Sequence, residues 1–414
     1  MEHIVLVGGG LASTYAAAQL RSAGYNGQVT ILSEEAEQPY DHVPLSKDYL
    51  YGGQGHHRLY LRDADFYRQH GIDLELETPV TDLEPDTKTL HLGTGETLRY
   101  SSVLLATGAT PRRLDLPGAD ELAGVHYLRT LHDATALRHQ LHESERVVVI
   151  GAGFLGCEVA ASATMLGKDV TLISRSALPL QTALGEEMAT VYRDLHAEQG
   201  VELLANTRAV ALHGRGSVEQ VSLDDGSRVQ ADTVVVAVGA TPRSALAEHA
   251  GLQVSDGIVT DASLETSAPA VFAAGDVASV RHPRTGRYER REHFNTARTQ
   301  GKAAARNMLG EAVSYDSIPF FFTDQYEVWM EYTGSARGDT ELVVHGDVSA
   351  QRFVAFWVDK GRLQAVMNVG LKGVPQIVRP LIRSGEVVTG HTLGNIVAQA
   401  QLADGGFTKP PNTG

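Results

Sequence analysis

Two glycine-rich turns carry the strongest chemical signal in the sequence. They read Gly8-x-Gly10-x-x-Ser13, within IVLVGGGLAS, and Gly151-x-Gly153-x-x-Gly156, within VVVIGAGFLGCEVA. The first glycine of such a turn permits a tight bend, and the second lets a pyrophosphate approach the backbone. The free N–H groups at the start of the following helix then face the phosphates. The two turns therefore predict two dinucleotide sites, with serine as a small third residue in the first.

The residues that follow each turn by about 20 positions indicate what each site binds. Glu34 stands there in the first unit, where a carboxylate can accept hydrogen bonds from ribose hydroxyls. In the second unit the corresponding residues are Ser174 and Arg175. Serine and arginine can bind a ribose 2′-phosphate, which a carboxylate would repel. We therefore expect the second site to take NADPH or both nucleotides; NADH stays open, because Arg175 can also be an ordinary solvated charge.

The elements around the turns must position these residues. An apolar run, the turn, a helical segment and a second apolar run follow one another at residues 3–35, and the same order recurs at 146–176. Such alternation favours parallel sheets covered by helices. From Pro319 onward, aromatic and alternating segments such as PFFFTDQYEVWMEYTG indicate antiparallel strands followed by helices. The predicted fold class is α/β: two Rossmann-like dinucleotide-binding domains plus a C-terminal α+β domain with an antiparallel sheet.

Composition limits the classes of function. The chain has 414 residues, enough for about three domains. Its formal net charge of −15 argues against general nucleic-acid binding and against an anionic membrane surface. A single cysteine excludes an intramolecular disulfide framework and any CxxC metal site, and we expect no metal. With no visible secretory signal and no long apolar run, the sequence predicts a soluble, cytoplasmic protein.

Further motifs point to a family. The two turns are accompanied by four further segments: LLATGATPR, VVVAVGATPR, TSAPAVFAAGD and FFTDQY. Together they resemble the FAD-dependent pyridine-nucleotide reductase superfamily, and within it the NAD(P)H:ferredoxin reductases of the putidaredoxin-reductase type, which serve cytochrome P450 and Rieske oxygenase systems. The resemblance implies an FAD-binding domain at 1–113 and 243–318, an NAD(P)-binding domain at 114–242, and a C-terminal domain at 319–414 with a disordered tail.

The same resemblance assigns cofactor contacts. The first turn and Glu34 would hold the ADP moiety of FAD, and Asp276 would meet its ribityl–phosphate stretch. The second turn would hold NADH or NADPH. The remaining implied contacts are Ala106, Thr107, Gly108, Gly239, Gly275, Glu292, His293 and Phe322. Glu292 and His293 can equally be caps of the helix that begins there. Phe322 is a weaker candidate, because most aromatic residues in such a strand belong to the core.

Lys47 and Glu158 are the catalytic pair that the resemblance implies. In this family a lysine and a glutamate at these positions form an ion pair beside the reactive edge of the flavin. A cation there stabilises reduced, anionic flavin, and the glutamate keeps the lysine charged. The segment YDHVPLSK is similar to the family's Arg-Pro-x-Leu-Ser-Lys element, except that His42 replaces the arginine and Val43 the first proline. Because an unperturbed histidine titrates near pH 6.5, we expect flavin contacts at His42 to depend on pH.

The single cysteine limits where electrons can go. Disulfide reductases of the superfamily pass electrons from flavin to a cysteine pair, whereas this chain has only Cys157, a small packing residue in the helix after the second turn. A flavin accepts a hydride pair and can release single electrons, so the electrons must leave directly for an external acceptor. The resemblance makes that acceptor a [2Fe–2S] ferredoxin.

A basic segment offers a docking surface for such a partner. Ferredoxins are generally acidic, so attraction to this acidic chain needs a local cluster of positive charge. The segment SVRHPRTGRYERRE supplies Arg281, Arg284, Arg287, Arg290 and Arg291. A solvated hairpin with the turn RTG is an equal alternative for this segment.

Two other functions stay open at this point. An FAD-dependent NAD(P)H oxidase, or a quinone or monodehydroascorbate-type reductase, shares the motifs and also lacks a redox disulfide. An apoptosis-inducing-factor-like binding protein belongs to a different class, and the compact chain with no targeting segment argues against it. Both a monomer and a homodimer are compatible with the sequence.

Overall fold

The structure is a computed structural model, and it describes residues 2–336 and 338–403. The predicted disordered tail, GGFTKPPNTG, lies outside the described residues. The chain divides into two compact units between Asp316 and Ser317.

The first unit opens with one large parallel sheet and a small antiparallel one. In chain order its elements are β1 (His3–Val7), α1 (Leu11–Ser22), β2 (Gln28–Leu32), α2 (Ala64–Gln69), β3 (Ile72–Glu75), β4 (Val80–Glu84), β5 (Thr89–Leu92), β6 (Thr97–Arg99), β7 (Ser102–Leu105) and β8 (Ala109–Pro111). Two 3-10 turns also occur, at Val43–Ser46 and His56–Arg58, and the first directly precedes Lys47.

The next stretch repeats this organisation. Its elements are β9 (Val125–Tyr127), α3 (Leu131–Glu143), β10 (Arg146–Ile150), α4 (Phe154–Met165), β11 (Asp169–Ile173), α5 (Gln181–Glu198), β12 (Glu202–Leu204), β13 (Ala209–Gly214), β14 (Val218–Leu223), β15 (Arg228–Gln230), β16 (Thr233–Val236) and β17 (Ala240–Pro242). The rest of the first unit then contributes α6 (Ala245–His249), β18 (Ile258–Thr260), β19 (Val271–Ala273), β20 (Ala278–Arg281), β21 (Tyr288–Glu289) and α7 (Phe294–Met308).

Two five-stranded sheets organise the first unit, in the orders β19-β7-β1-β2-β3 and β12-β11-β10-β16-β9. All of their strand pairs are parallel. Apolar strands such as SVLL in β7 and TVVV in β16 are buried along their whole length, which is typical of parallel sheets covered on both faces.

The sheet register determines which residues surround each glycine-rich turn. Val7, the last residue of β1, pairs with Leu32 of β2 and Leu105 of β7. Ile150, at the end of β10, has equivalent neighbours in β11 and β16. Each turn therefore lies where the strand order reverses, at the carboxyl ends of the strands, and this is where open α/β sheets bind their ligands.

The second unit contains an antiparallel sheet in the order β22-β23-β26-β25-β24. Its elements are β22 (Phe320–Gln325), β23 (Val328–Gly334), β24 (Glu341–Asp347), β25 (Arg352–Asp359), β26 (Arg362–Val369), α8 (Val374–Ser384) and α9 (Gly390–Ala403). The predicted fold class is confirmed by the two parallel sheets and this antiparallel one. The predicted domain bounds stay a prediction.

Candidate functional site

The turn after β1 is shaped by its glycines. Gly8 has a φ of 115°, and a Cβ atom there would overlap the carbonyl oxygen of Ala106. Gly10 caps the start of α1, and a Cβ on it would meet no atom within 4 Å beyond its chain neighbours. Ser13 is fully buried, and its hydroxyl has no hydrogen-bond partner among the described residues. An open space therefore faces the free N–H groups of α1, as a bound pyrophosphate requires.

The turn after β10 repeats this geometry. Gly151 has a φ of 109°, and a Cβ atom there would overlap the carbonyl oxygen of Ala237. Gly153 caps α4 and again has open space at its Cβ position. A side chain on Gly156 would overlap the Gly151 carbonyl, so the absence of one lets α4 pack closely on the strand. The chain thus offers two cradles, which fit the two dinucleotides FAD and NAD(P)H.

Glu34 follows the second strand of the first sheet, and Arg243 donates to both of its carboxylate oxygens, with a distance of 2.6 Å between Nη2 and Oε2. This arginine lowers the pKa of the Glu34 carboxyl. The backbone of Arg243 is itself fixed, because its carbonyl accepts from the Thr107 hydroxyl at 2.7 Å and its N–H donates to the Gly108 carbonyl at 2.9 Å. Glu34, Thr107 and Gly108 therefore meet around an arginine that sequence reasoning missed.

Ser174 and Arg175 lie beside the second turn, since the Gly151 N–H donates to the carbonyl of Ile173 at 2.9 Å. The buried Ser174 hydroxyl accepts from a backbone N–H two residues later, at 3.1 Å, whereas Arg175 is exposed. Gly239 closes the opposite side with a φ of 108°. Of Ser174 and Arg175, only Arg175 has a side chain that is exposed to solvent.

Lys47 and Glu158 come together as an ion pair of 2.8 Å, although they lie far apart in sequence. Both side chains are buried, with exposed fractions of 11% and 9%. The second oxygen of Glu158 accepts from the Ser46 hydroxyl at 2.6 Å. A 3-10 turn and helix α4 thereby bring one positive and one negative charge into a low-dielectric contact, where their attraction is strong.

Asp276 follows β19 and accepts from Arg129 at 2.7 Å. The preceding residue, Gly275, donates its N–H to the Gln300 side chain at 2.8 Å, which ties this segment to α7. Arg129 directly precedes Thr130, the N-cap residue of α3. The residues around Arg129 in the sequence do not predict its contact with Asp276.

His42 does not have the ordinary pKa on which the expected pH dependence was based. Burial and the neighbouring Arg129 lower the pKa of His42 to about 3, so its imidazole is neutral above that range. The ring lies 4.7 Å from that of Tyr40, centroid to centroid. His293, at the N-cap of α7, behaves alike: burial and Arg291 lower its pKa to about 4.

The remaining predicted contacts occupy different settings. Glu292 is exposed and accepts from Arg290, and both groups precede α7. Ala106 is buried at the end of β7, directly beside the first turn. Phe322 is half-buried on β22 of the second unit, where it pairs with Glu331. Contact of these residues with a cofactor stays a prediction.

Cys157 is fully buried in α4. Burial, and after it the charge of Glu158, raises the pKa of its thiol. A buried thiol with a raised pKa is a poor nucleophile, because the reactive species is the thiolate. The sequence contains no second cysteine, so Cys157 cannot complete a redox disulfide.

The basic segment forms a hairpin, with β20 and β21 paired antiparallel. Three of its arginines bind nearby acids. The ion pairs are Arg284–Asp316 at 2.8 Å, Arg290–Asp256 at 3.0 Å and Arg291–Glu289 at 2.7 Å. Arg281 and Arg287 are exposed at the two sides of the hairpin, next to Tyr288, which is 54% exposed. The positive charge available to a partner is therefore smaller than the count of arginines indicates.

Two further findings concern the described residues only. No group of three or more His, Cys, Asp and Glu side chains gathers there into a metal-binding cluster. In the same part of the chain, no helix combines the length and the apolar character needed to cross a bilayer.

Known proteins are similar to this chain in sequence and in fold. A reductase C-terminal family model matches residues 320–401. The anthranilate 1,2-dioxygenase system ferredoxin–NAD(+) reductase component of Burkholderia cepacia is 38% identical over 93% of this chain and 95% of its own length.

Solved structures agree with that relationship. The ferredoxin reductase for the CYP199A2 system of Rhodopseudomonas palustris matches with a TM-score of 0.91 and 32% identity, over 97% of both chains. The reductase in a covalent putidaredoxin reductase–putidaredoxin complex also gives 0.91, with 33% identity over 97% of this chain and 99% of its own.

One family model covers most of the chain and accounts for both glycine-rich turns. The model described as pyridine nucleotide-disulphide oxidoreductase matches residues 2–301, which include both glycine-rich turns. The resemblance drawn from the motifs, and the expectation of an oxidoreductase that uses FAD and a nicotinamide dinucleotide, are confirmed. The chain belongs to the pyridine nucleotide-disulphide oxidoreductase family.

Proposed function

We propose that this chain is an FAD-dependent NAD(P)H:ferredoxin reductase that delivers electrons to an oxygenase through a [2Fe–2S] ferredoxin. The observation that carries the proposal is the buried Lys47–Glu158 pair, which joins the segment after the 3-10 turn to the helix that follows the second glycine-rich turn, in a chain whose single cysteine is buried. The names of relatives that match nearly the whole chain support the same activity, and one of them was solved joined to its putidaredoxin.

The first cradle would hold FAD, with Glu34 toward the ribose and Asp276 toward the ribityl chain. Bound FAD supplies the conversion of a two-electron hydride input into one-electron output. Lys47 and Glu158 would supply the charged groups beside the flavin. Glu158 holds the Lys47 ammonium in place through their 2.8 Å contact, and the close packing around the pair excludes water.

The second cradle would hold the nicotinamide dinucleotide, and we assign it to both NADH and NADPH. No carboxylate stands at Ser174, so a 2′-phosphate meets no repulsion there, and the exposed Arg175 can pair with it. The NAD(+) in the name of the Burkholderia cepacia relative supports use of NADH.

Ferredoxin would dock at the hairpin, chiefly through Arg281 and Arg287. These two exposed guanidinium groups have no ion pair with a described residue, and the exposed ring of Tyr288 stands beside Arg287. Arginine and tyrosine are enriched where protein partners bind. A cytoplasmic location, a monomeric or homodimeric state and the domain bounds named above stay predictions.

Anaerobic half-reactions test the proposal. One equivalent of NADH or NADPH should bleach the flavin of the FAD-loaded protein, and two equivalents of oxidised [2Fe–2S] ferredoxin should then restore the flavin spectrum. Rapid recovery with oxygen or a quinone, and none with ferredoxin, would instead assign the chain to the oxidase or quinone-reductase class.

A further inference from the structure

Glu158 divides its two carboxylate oxygens between neighbouring residues. Oε1 lies 2.8 Å from the Lys47 ammonium, and Oε2 accepts from the Ser46 hydroxyl at 2.6 Å. Ser46 is 5% exposed and Glu158 is 7% exposed. One side chain of α4 therefore fixes both the charge of Lys47 and the residue before it.

Ser162 adds a second connection from the same face of α4. It follows Glu158 by one helical turn, and side chains at this spacing lie one above the other. Its hydroxyl donates to the backbone carbonyl of Ser46 at 2.7 Å, and the residue is 2% exposed. Both polar groups of Ser46 that face α4, the hydroxyl and the carbonyl, are thus bound to it.

These bonds join the two dinucleotide regions mechanically. Helix α4 begins at Gly153, at the cradle for the nicotinamide dinucleotide, whereas Ser46 and Lys47 belong to the segment expected beside the flavin. A buried carbonyl that loses its donor costs free energy, so the backbone at residue 46 has a strong reason to stay against α4.

We propose that Ser162 is a positioning residue for Lys47. It acts through the Ser46 carbonyl and sets where the ammonium group stands relative to the flavin, so that a shift of α4 is passed directly to the charged group at the other cofactor. The inference rests on the proposed function, because it gives Lys47 its place beside the flavin edge.

The test compares FAD-loaded variants in the reductive half-reaction, which needs no ferredoxin. Ser162→Ala should lower the limiting rate of flavin reduction at saturating NADH by about fivefold or more, since small misplacements of a positioned group are costly. The dissociation constant for NADH should stay within about twofold of the wild type, because the cradle is unchanged. The flavin midpoint potential should become more negative as the cation moves away.

Two further variants separate positioning from general destabilisation. Ser162→Thr retains a hydroxyl at the same place and should restore the rate and the potential. Thr164→Ala is the matched control: its hydroxyl donates to the Ala160 carbonyl of its own helix at 2.8 Å, so its loss should leave both values unchanged.

The outcomes are decisive in both directions. A wild-type rate and potential in Ser162→Ala would overturn the inference while leaving the proposed function intact. If Ser162→Ala fails to fold or to retain FAD, Ser162→Cys decides, because it keeps the size of the side chain and replaces the hydroxyl with a weak thiol donor. A slowed reduction in Ser162→Cys supports the connection to the Ser46 carbonyl, and a wild-type rate overturns it. A wild-type flavin that neither NADH nor NADPH reduces would overturn the proposed function itself.

Discussion

Arg243 donates to both carboxylate oxygens of Glu34, although 209 residues separate them. The contact places a cation at the acidic residue that would accept the ribose hydroxyls of FAD. It also lowers the pKa of that carboxyl, which keeps it ionised and able to accept hydrogen bonds.

Arg243→Ala should therefore weaken FAD binding. Without the two-point contact, the half-exposed Glu34 side chain becomes mobile, and we expect the FAD dissociation constant to rise about tenfold, or about 1.4 kcal/mol. Flavin fluorescence recovered on dilution measures this constant. Arg193→Ala, at an exposed arginine that pairs with its neighbour Asp194, is the control and should bind FAD as the wild type does. Equal or tighter FAD binding in Arg243→Ala would mean that the arginine competes with the ribose for Glu34.

Glu158→Gln should slow the reduction of the flavin by at least about tenfold, because the Lys47 ammonium loses its 2.8 Å contact with a carboxylate and the orientation that this contact gives. Breaking a buried ion pair is also destabilising, so the free energy of unfolding should fall by about 3 kcal/mol. Stopped-flow reduction and urea denaturation measure the two effects. Glu187→Gln, on the exposed face of α5, removes one carboxylate elsewhere and should change neither.

Reversing both Arg281 and Arg287 to glutamate should raise the KM for ferredoxin by about tenfold at low ionic strength, because an acidic partner would then meet repulsion. The effect should shrink as salt screens the charges. Reduction of the flavin by NADH should stay unchanged. Arg215→Glu with Arg228→Glu, at exposed positions in the turn between β13 and β14 and on β15, makes the same change in net charge and should leave the KM near the wild-type value. An unaltered KM in the hairpin variant would remove this hairpin from the docking surface.

Acid should destabilise the fold through histidines that are buried in neutral form. Burial lowers the pKa of His3, whose Nε2 lies 2.9 Å from the Thr30 hydroxyl. Below pH ~6.5 the unfolded chain takes up a proton that folded His3 does not, so the free energy of unfolding falls by up to about 1.4 kcal/mol per pH unit for this group.

Urea denaturation at pH 7, 6 and 5 measures that slope. His3→Gln removes the titrating group and should show a shallower loss of stability with falling pH. His57→Gln, at an exposed position, should retain the wild-type slope. Identical slopes in all three proteins would show that burial of His3 contributes nothing to acid sensitivity.

The sequence supported the prediction of the fold because its signals are local. The turns at Gly8 and Gly151 and the continuous apolar strands next to them depend on a few adjacent residues, and the structure has both parallel sheets where those patterns occur. The contacts of Arg243 with Glu34 and of Arg129 with Asp276 could not be predicted in this way. Each depends on how distant segments pack, which spacing along one chain does not encode.

The same limit applies to His42 and to the basic segment. The segment YDHVPLSK predicts an ordinary histidine pKa for His42. Burial and the charge of Arg129, which the segment does not reveal, lower that pKa to about 3. The basic segment appeared as a run of positive charge, and acids from elsewhere in the first unit, Asp256 and Asp316, bind two of its arginines. The family resemblance, and not the spacing of the two residues, predicts the Lys47–Glu158 contact, and the structure contains this ion pair.

Electrons should leave the flavin one at a time for a ferredoxin, with no thiol relay. The most direct test is cytochrome c reduction by the FAD-loaded protein, with NADH and with NADPH, with and without a [2Fe–2S] ferredoxin from the same source. We expect a large ferredoxin-dependent rate with both nucleotides, and the same rate in Cys157→Ala. A rate that does not change when ferredoxin is added, together with rapid turnover of oxygen or a quinone, would contradict electron transfer to a ferredoxin.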